Sequence, residues 1–242
     1  MCPKQIHKKN EFLEIIHDET VLSVRIRRSS AARCMILRFS KATREASLTL
    51  PSSVPLDYGR AFIRKQAGWL AKKQKETPAR IYFEEGIIIP IRGIDHRLLR
   101  KDGRGITHIE QDTDIPALIA HCAPEHFARR ITTYLKQEAL RDLQQAVFRF
   151  SAQIDKKVMR ITLRDTRSRW GSCSSSGSLN FSWRLIFAPS FVLEYLAAHE
   201  VAHLKEMNHS RNFWALTYQL FPETDKAETW LKKAGYTLHL YG

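Results

Sequence analysis

Apolar and polar residues alternate along TVLSVRIRRS (20–29), RCMILRFS (33–40) and EASLTLP (45–51), the two-residue period of strands buried on one face. These segments predict an antiparallel sheet with one face on a core and a basic face in water. The spacing changes over LDYGRAFIRKQAGWLAKKQKET (56–77), where Phe62, Ile63, Gln66, Trp69 and Leu70 share one side of a helix. Residues 80–100 return to short strands interrupted by Gly86 and Gly93. Patterning fades between Asp102 and Pro124, which sets the expected boundary between a β-rich basic region, 1–110, and a second domain, 115–242. PEHFARRITTYLKQEALRDLQQAVFRF (124–150) then predicts a long amphipathic helix opened by a proline. Strand patterns follow in KVMRITLRD (157–165), RSRWGSC (167–173) and SLNFSWRLI (178–186), with SSSG (174–177) as a turn. Pro189 and Ser190 start another helix, which runs through FVLEYLAAHEVAHLK. A strand-rich half followed by helix, short sheet and helix makes the fold class α+β, and no internal repeat is evident.

A chain of 242 residues that is 43% hydrophobic can bury a real core, which excludes a wholly disordered protein. Cys2, Cys34, Cys122 and Cys173 form no CxxC pair, so reduced structural thiols are expected rather than a disulfide framework or a thiolate zinc knuckle. The amino-terminal MCPKQIHKKNEF lacks the apolar core of a signal peptide, and no run approaches the roughly 20 apolar residues that span a bilayer. A cytoplasmic protein without a membrane partner is therefore expected. Net charge is +14, of which the first hundred residues hold +10. Such a surface attracts polyanions through counterion release, making nucleic acid, a nucleotide or an acidic protein candidate partners. A solvated basic surface that keeps the chain soluble explains the charge equally well.

The chemistry concentrates in AAHEVAHLKEMNHSRNFW (197–214), which holds three of the ten histidines. On a helix His199 and His203 lie one turn apart on the same face and can hold one metal ion, while Glu200 projects to the side, toward a water on that ion. This is the HExxH arrangement: two neutral imidazoles bind Zn²⁺ and leave it Lewis-acidic, and the carboxylate takes a proton as the water attacks. The pentapeptide alone is a weak signal. The apolar LAA before it strengthens the reading, because burying two histidines and a glutamate there without a metal is costly. A catalytic zinc also needs a third protein ligand and an open fourth position. His209 supplies the third if the helix ends near Lys205 or Met207, with Asn208 turning the chain in a left-handed conformation. If the helix continued, Glu206 would return to roughly 20° from the direction of His199. His209 is preferred because imidazole suits zinc, and Glu206 is the runner-up. His17, His121 and His239 stand alone on their segments and carry no functional weight.

Residues 164–214, RDTRSRWGSCSSSGSLNFSWRLIFAPSFVLEYLAAHEVAHLKEMNHSRNFW, resemble the YgjP-like family of zinc metallopeptidases, relatives of the SprT-like proteins. The resemblance covers RWGSC, LNFSWRL, the HExxH helix and NHSRNFW, and the β-rich amino-terminal half is similar to the family's layout. It implies His199, His203 and His209 as metal ligands, Glu200 as general base, and a compact gluzincin-like unit in which a strand edges the cleft. The expected function is thus a metal-dependent hydrolase of peptidase type, using Zn²⁺ or another divalent metal. An extended peptide could pair with the free edge of RSRWGSC or SLNFSWRL. Trp170, Trp183 and Trp214 read as core or cleft wall, Arg167 and Arg169 as solvated arginines, and Cys173 as a small buried thiol. Tyr218 and Arg184 flank the metal helix as candidates for the oxyanion stabiliser, without assignment. Two functions compete: a divalent-metal phosphohydrolase of nucleoside triphosphates, an activity the resemblance also implies, and a nucleic-acid-associated protein of the SprT-like kind.

Overall fold

The structure is a computed structural model that describes residues 11–111 and 114–242. Cys2 and most of MCPKQIHKKNEF lie outside the described residues. The fold mixes α and β, with strands concentrated in the amino-terminal half and helices in the carboxyl-terminal half. The chain divides into two compact units, residues 1–79 and 80–242.

In the first unit β1 (Glu11–His17), β2 (Thr20–Ser29), β3 (Ile36–Ser40) and β4 (Glu45–Pro51) form a sheet of order β1-β2-β4-β3. The antiparallel sheet expected from the sequence is only partly what forms: β1–β2 and β3–β4 are antiparallel, but β2–β4 is parallel. Burial explains this. Leu48 and Leu50 of β4 are fully buried, whereas no residue of β3 is, so β4 takes the centre and β3 the edge. The helical segment 56–77 is two helices, α1 (Leu56–Lys65) and α2 (Ala67–Glu76), separated at Gln66. Ile63, Ala67 and Leu70 pack on the sheet with Leu13, Val24 and Leu48, while Trp69 remains 40% exposed.

The second unit opens with the same topology. Strands β5 (Ile88–Ile91), β6 (Ile94–Lys101), β7 (His108–Glu110) and β8 (Ala117–His121) follow the order β5-β6-β8-β7 with the same orientations. In both sheets the first hairpin turns on two residues of positive φ, Asp18 (44°) and Glu19 (63°) in one, Arg92 (55°) and Gly93 (79°) in the other. That mirror-image turn matches the twist of the flanking strands. A topological repeat therefore underlies a sequence in which no repeat is evident. The division expected near residues 110–115 falls inside this second unit, because β8 pairs with β6 in parallel across the weakly patterned stretch.

Beyond the sheet, α3 (Phe127–Gln153) buries Ile131, Leu135, Leu143 and Val147 in the unit's core. A small sheet of β9 (Arg160–Arg164), β10 (Gly171–Cys173) and β11 (Ser178–Ser182) has the order β10-β11-β9, which places β10 at an edge. The last part of SLNFSWRLI leaves the sheet as a 3-10 turn over Trp183–Phe187, capped by the Ser182 hydroxyl accepting from the Arg184 N–H at 3.4 Å. Then come α4 (Ser190–Ala202), α5 (Arg211–Leu220) and α6 (Thr224–Ala234).

Candidate metal centre

Helix α4 is apolar around most of its circumference and is buried accordingly, with Val192, Leu196, Ala198 and Val201 in the core. Its apolar character carries Glu200 inside, 4% exposed, and brings His199 and His203 to one end. The helix stops at Ala202, with His203 as the capping residue. The chain tightens there: Leu204 N–H donates to Val201 O at 2.9 Å, and Lys205 and Glu206 N–H both donate to Ala202 O at 3.1 and 3.0 Å. The expected left-handed residue at Asn208 is not used, since Asn208 is not among the residues of positive φ. His209 follows, and the Ser210 hydroxyl accepts from Phe213 N–H at 3.4 Å to start α5.

This path brings the three predicted histidines together. One ring nitrogen from each of His199, His203 and His209 lies within 4.8 Å of the others, and His209 Nε2 stands 3.2 Å from His199 Nε2. The Nδ1 atoms of the helical pair face elsewhere. His203 Nδ1 is 3.0 Å from the Glu206 carbonyl, and His199 Nδ1 is 3.3 Å from the Tyr195 hydroxyl. Phe213 lies against the His203 ring at 4.4 Å, and Trp214 stands 6.0 Å from His199, forming one wall. Burial, reinforced by the neighbouring histidines, pushes the His199 pKa down to about 4, and burial lowers His203 as well. Both rings are therefore neutral at physiological pH, the form that binds metal. Among the described residues no carboxylate or thiolate groups with these nitrogens, and Glu206 contributes its carbonyl rather than its side chain. Three convergent imidazoles with no fourth protein donor among the described residues fit a zinc ion that keeps an open position.

Glu200 lies against β10 rather than in the histidine group. A Cβ on Gly171 would sit 2.7 Å from Glu200 Cγ and 2.8 Å from Cδ, so the carboxylate occupies space that only glycine leaves free. Its Oε2 is buried without a hydrogen-bonding partner among the described residues. Burial raises the Glu200 pKa to about 8, partly offset by the positive charge of Arg169. Cys173, on the same edge strand, is half-buried and its thiol is pushed up to about 11 by burial and by Glu200, which keeps it protonated.

Other sequence candidates go elsewhere. Arg184 is buried against Asp165, at 2.6 and 3.1 Å, and donates to the Tyr241 carbonyl, so it is engaged in holding the carboxyl-terminal segment. Tyr218 donates to Asp225 at 2.5 Å. Trp183 is a core residue, and Trp170 stacks on His239 at 4.8 Å. Four contributors went unnoticed in the sequence: Gly171, Tyr195, Glu228 and Phe213. A glycine inside a strand pattern and a tyrosine one turn before His199 were readable signals. Nothing local marks Glu228.

No curated protein matches the chain. Among solved structures, the crystal structure of the metallopeptidase zymogen of Pyrococcus abyssi abylysin aligns at 19% identity and a TM-score of 0.35, covering 38% of this chain and 95% of that one. No helix of the described residues is long and apolar enough to cross a membrane. Residues 35–234 match the family model of the YgjP-like metallopeptidase domain, and the chain belongs to that family.

Proposed function

We propose that the chain is a zinc-dependent peptidase in which His199, His203 and His209 hold the ion through their Nε2 atoms and Glu200 is the general base. One observation carries this reading: three convergent imidazoles follow from the same helix end as a buried carboxylate with an oxygen unpartnered among the described residues, and that carboxylate packs against β10, a strand that pairs with only β11 among those residues. The ion, when bound, would supply Lewis acidity and acidify a water, and its positive charge would favour the ionised form of Glu200. Glu200 would then accept a proton at Oε2, the atom unpartnered among the described residues, and later return it to the leaving amine. The free edge of β10 orients the substrate by pairing with an extended peptide, which sets the scissile carbonyl beside Glu200. Phe213 and Trp214 pack beside the imidazoles and form one wall of the group.

The test uses the purified full chain with an unfolded polypeptide such as casein, with and without a chelator. Glu200→Gln should retain stoichiometric zinc and lose about 10²- to 10⁴-fold in cleavage, the usual contribution of a positioned base. Undiminished cleavage would remove Glu200 from the reaction. Absence of polypeptide cleavage, together with chelator-sensitive pyrophosphate release from a nucleoside triphosphate, would favour the phosphohydrolase alternative.

A second observation supports a reading in which nucleic acid is a candidate partner. On the sheet face opposite α1 and α2, Arg27 and Arg38 are exposed, with Ser47 and Thr49 beside them in register. The full chain should shift a single-stranded oligonucleotide with an affinity that falls steeply with salt, and Arg27→Glu with Arg38→Glu should abolish the shift. A shift unchanged by that double substitution would remove this face from consideration.

A further inference from the structure

The middle of α4 and the helix α6 meet beside the histidine that begins the motif. Tyr195 sits one helical turn before His199 and is 3% exposed, so its hydroxyl must find partners inside the protein. It finds two: His199 Nδ1 at 3.3 Å and Glu228 Oε1, to which it donates, at 3.2 Å. Since the hydroxyl proton goes to Glu228, the Tyr195 oxygen is left to accept from His199, which requires the proton of that imidazole to sit on Nδ1. The Nε2 lone pair then points at His209 Nε2 and the rest of the group. Glu228 is itself fixed from the other side, its Oε2 accepting from Lys232 Nζ at 2.9 Å, one turn along α6.

The two helical histidines are thus held in different ways. His203 is oriented by a main-chain carbonyl, that of Glu206, which no substitution can delete. His199 is oriented by a side-chain relay that ends on another helix. We propose that Tyr195 and Glu228 are positioning residues for the metal site: the relay Glu228–Tyr195–His199 selects the His199 tautomer and ring orientation that present Nε2 to the ion. The proposal rests on His199 being a metal ligand. It makes α6, 21 to 31 residues past the second histidine of the motif, part of the site. It also explains why a tyrosine, rather than a phenylalanine of similar bulk, occupies this buried position of α4.

The test measures zinc affinity of the metal-stripped full chain by competition with a chromogenic chelator, the visible spectrum of the Co²⁺-loaded chain, and the thermal midpoint of the metal-free chain. Tyr195→Phe keeps the ring and should weaken zinc binding about 10- to 100-fold, the range for loss of an outer partner of a ligating histidine, and should alter the Co²⁺ bands. Glu228→Ala should do the same, and the double variant should be no weaker than Tyr195→Phe alone, because the two act in series. Glu228→Gln keeps an acceptor oxygen for Tyr195 and should restore affinity to within about threefold of wild type. Tyr218→Phe removes the neighbouring Tyr218–Asp225 hydrogen bond and should leave affinity unchanged. Wild-type affinity and Co²⁺ spectrum in Tyr195→Phe would overturn the proposal, even with a lowered thermal midpoint, as would an effect of Tyr218→Phe of the same size. His199→Ala separates the two levels. If it binds zinc as wild type does, the metal reading fails; if it loses zinc while Tyr195→Phe does not, only the relay fails.

Discussion

Gly171→Ala is the smallest change that tests how Glu200 is housed. The added methyl would meet Glu200 Cγ at 2.7 Å and Cδ at 2.8 Å, whereas carbon atoms settle at about 3.5 Å or more, so the carboxyl must retreat by roughly 0.7 Å. It has little room to do so, being 4% exposed. Gly171 does not use a positive φ, so alanine adds no backbone strain and the whole effect comes from lost space. Overpacking of this kind costs about 1–3 kcal/mol in stability. A reacting group displaced by that order loses about 10²-fold in rate. The variant should therefore cleave unfolded polypeptide about 10²-fold more slowly, while elemental analysis still finds one zinc per chain, because the methyl points at Glu200 and not at the histidines. Glu200→Asp, shorter by one methylene, should recover part of the loss when combined with Gly171→Ala. Cleavage by Gly171→Ala within about threefold of wild type at full zinc content would refute the argument.

Three further outcomes follow from the same geometry. His209→Ala should lose stoichiometric zinc, while Glu206→Ala should keep it, since Glu206 holds His203 through its carbonyl; zinc loss in Glu206→Ala alone would restore its side chain as a ligand. The metal-free chain should lose stability between pH 6.5 and 8. Glu200 binds its proton up to about 8 when folded but only to 4.5 when unfolded, so its contribution is full below 4.5 and falls as pH rises through 8. His199, at about 4 against 6.5, opposes this most strongly below pH 6.5, and His203, also lowered by burial, acts in the same sense. The net fall from 6.5 to 8 is on the order of 1 kcal/mol, and a thermal midpoint that rises over that window would contradict the burial of Glu200. Gly93→Ala should cost about 1–3 kcal/mol without changing zinc affinity, because that position combines φ of 79° with a Cβ that would lie 3.0 Å from Pro189 Cα. An unchanged midpoint in chemical denaturation would show that the hairpin does not bear on the start of α4.

What the sequence showed of the fold, and what it hid, divides along local and non-local lines. Two-residue and helical periods report one segment against one surface, so β2, β3, β4, α3 and α4 were legible, whereas β1 was not singled out. Parallel pairing brings together segments that share no local signal. The β2–β4 and β6–β8 pairs were invisible for that reason, and with them the topological repeat and the place of β8 in the second unit. The break at Gln66 was hidden differently: helical spacing continues through it, and only packing of Ala67 and Leu70 on the sheet decides the change of direction.

The site follows the same division, with one instructive exception. His199, Glu200 and His203 are local, within five consecutive residues at the end of one helix, and their juxtaposition follows from the helical repeat alone. His209 depends on where the helix stops, and the expected route through a left-handed Asn208 was a reasonable inference from chains that turn on glycine. The chain instead turns by tightening its last hydrogen bonds, so that two amides share the Ala202 carbonyl and the Glu206 carbonyl swings round to meet His203 Nδ1. No residue of positive φ is needed, which is why the absence of a glycine midway between His203 and His209 does not bar the third histidine from the group. The feature that made Glu206 a rival ligand, its return toward the histidine face, is the one that lets its main chain orient the second histidine. An apolar face waiting on α5 then fixes the outcome: Phe213 packs against all three rings, at 4.4 to 4.9 Å, and Ser210 caps the helix that carries it. The HSRNF that follows the motif is thus as much a part of the centre as HEVAH, although its contribution is packing and a cap rather than ligation.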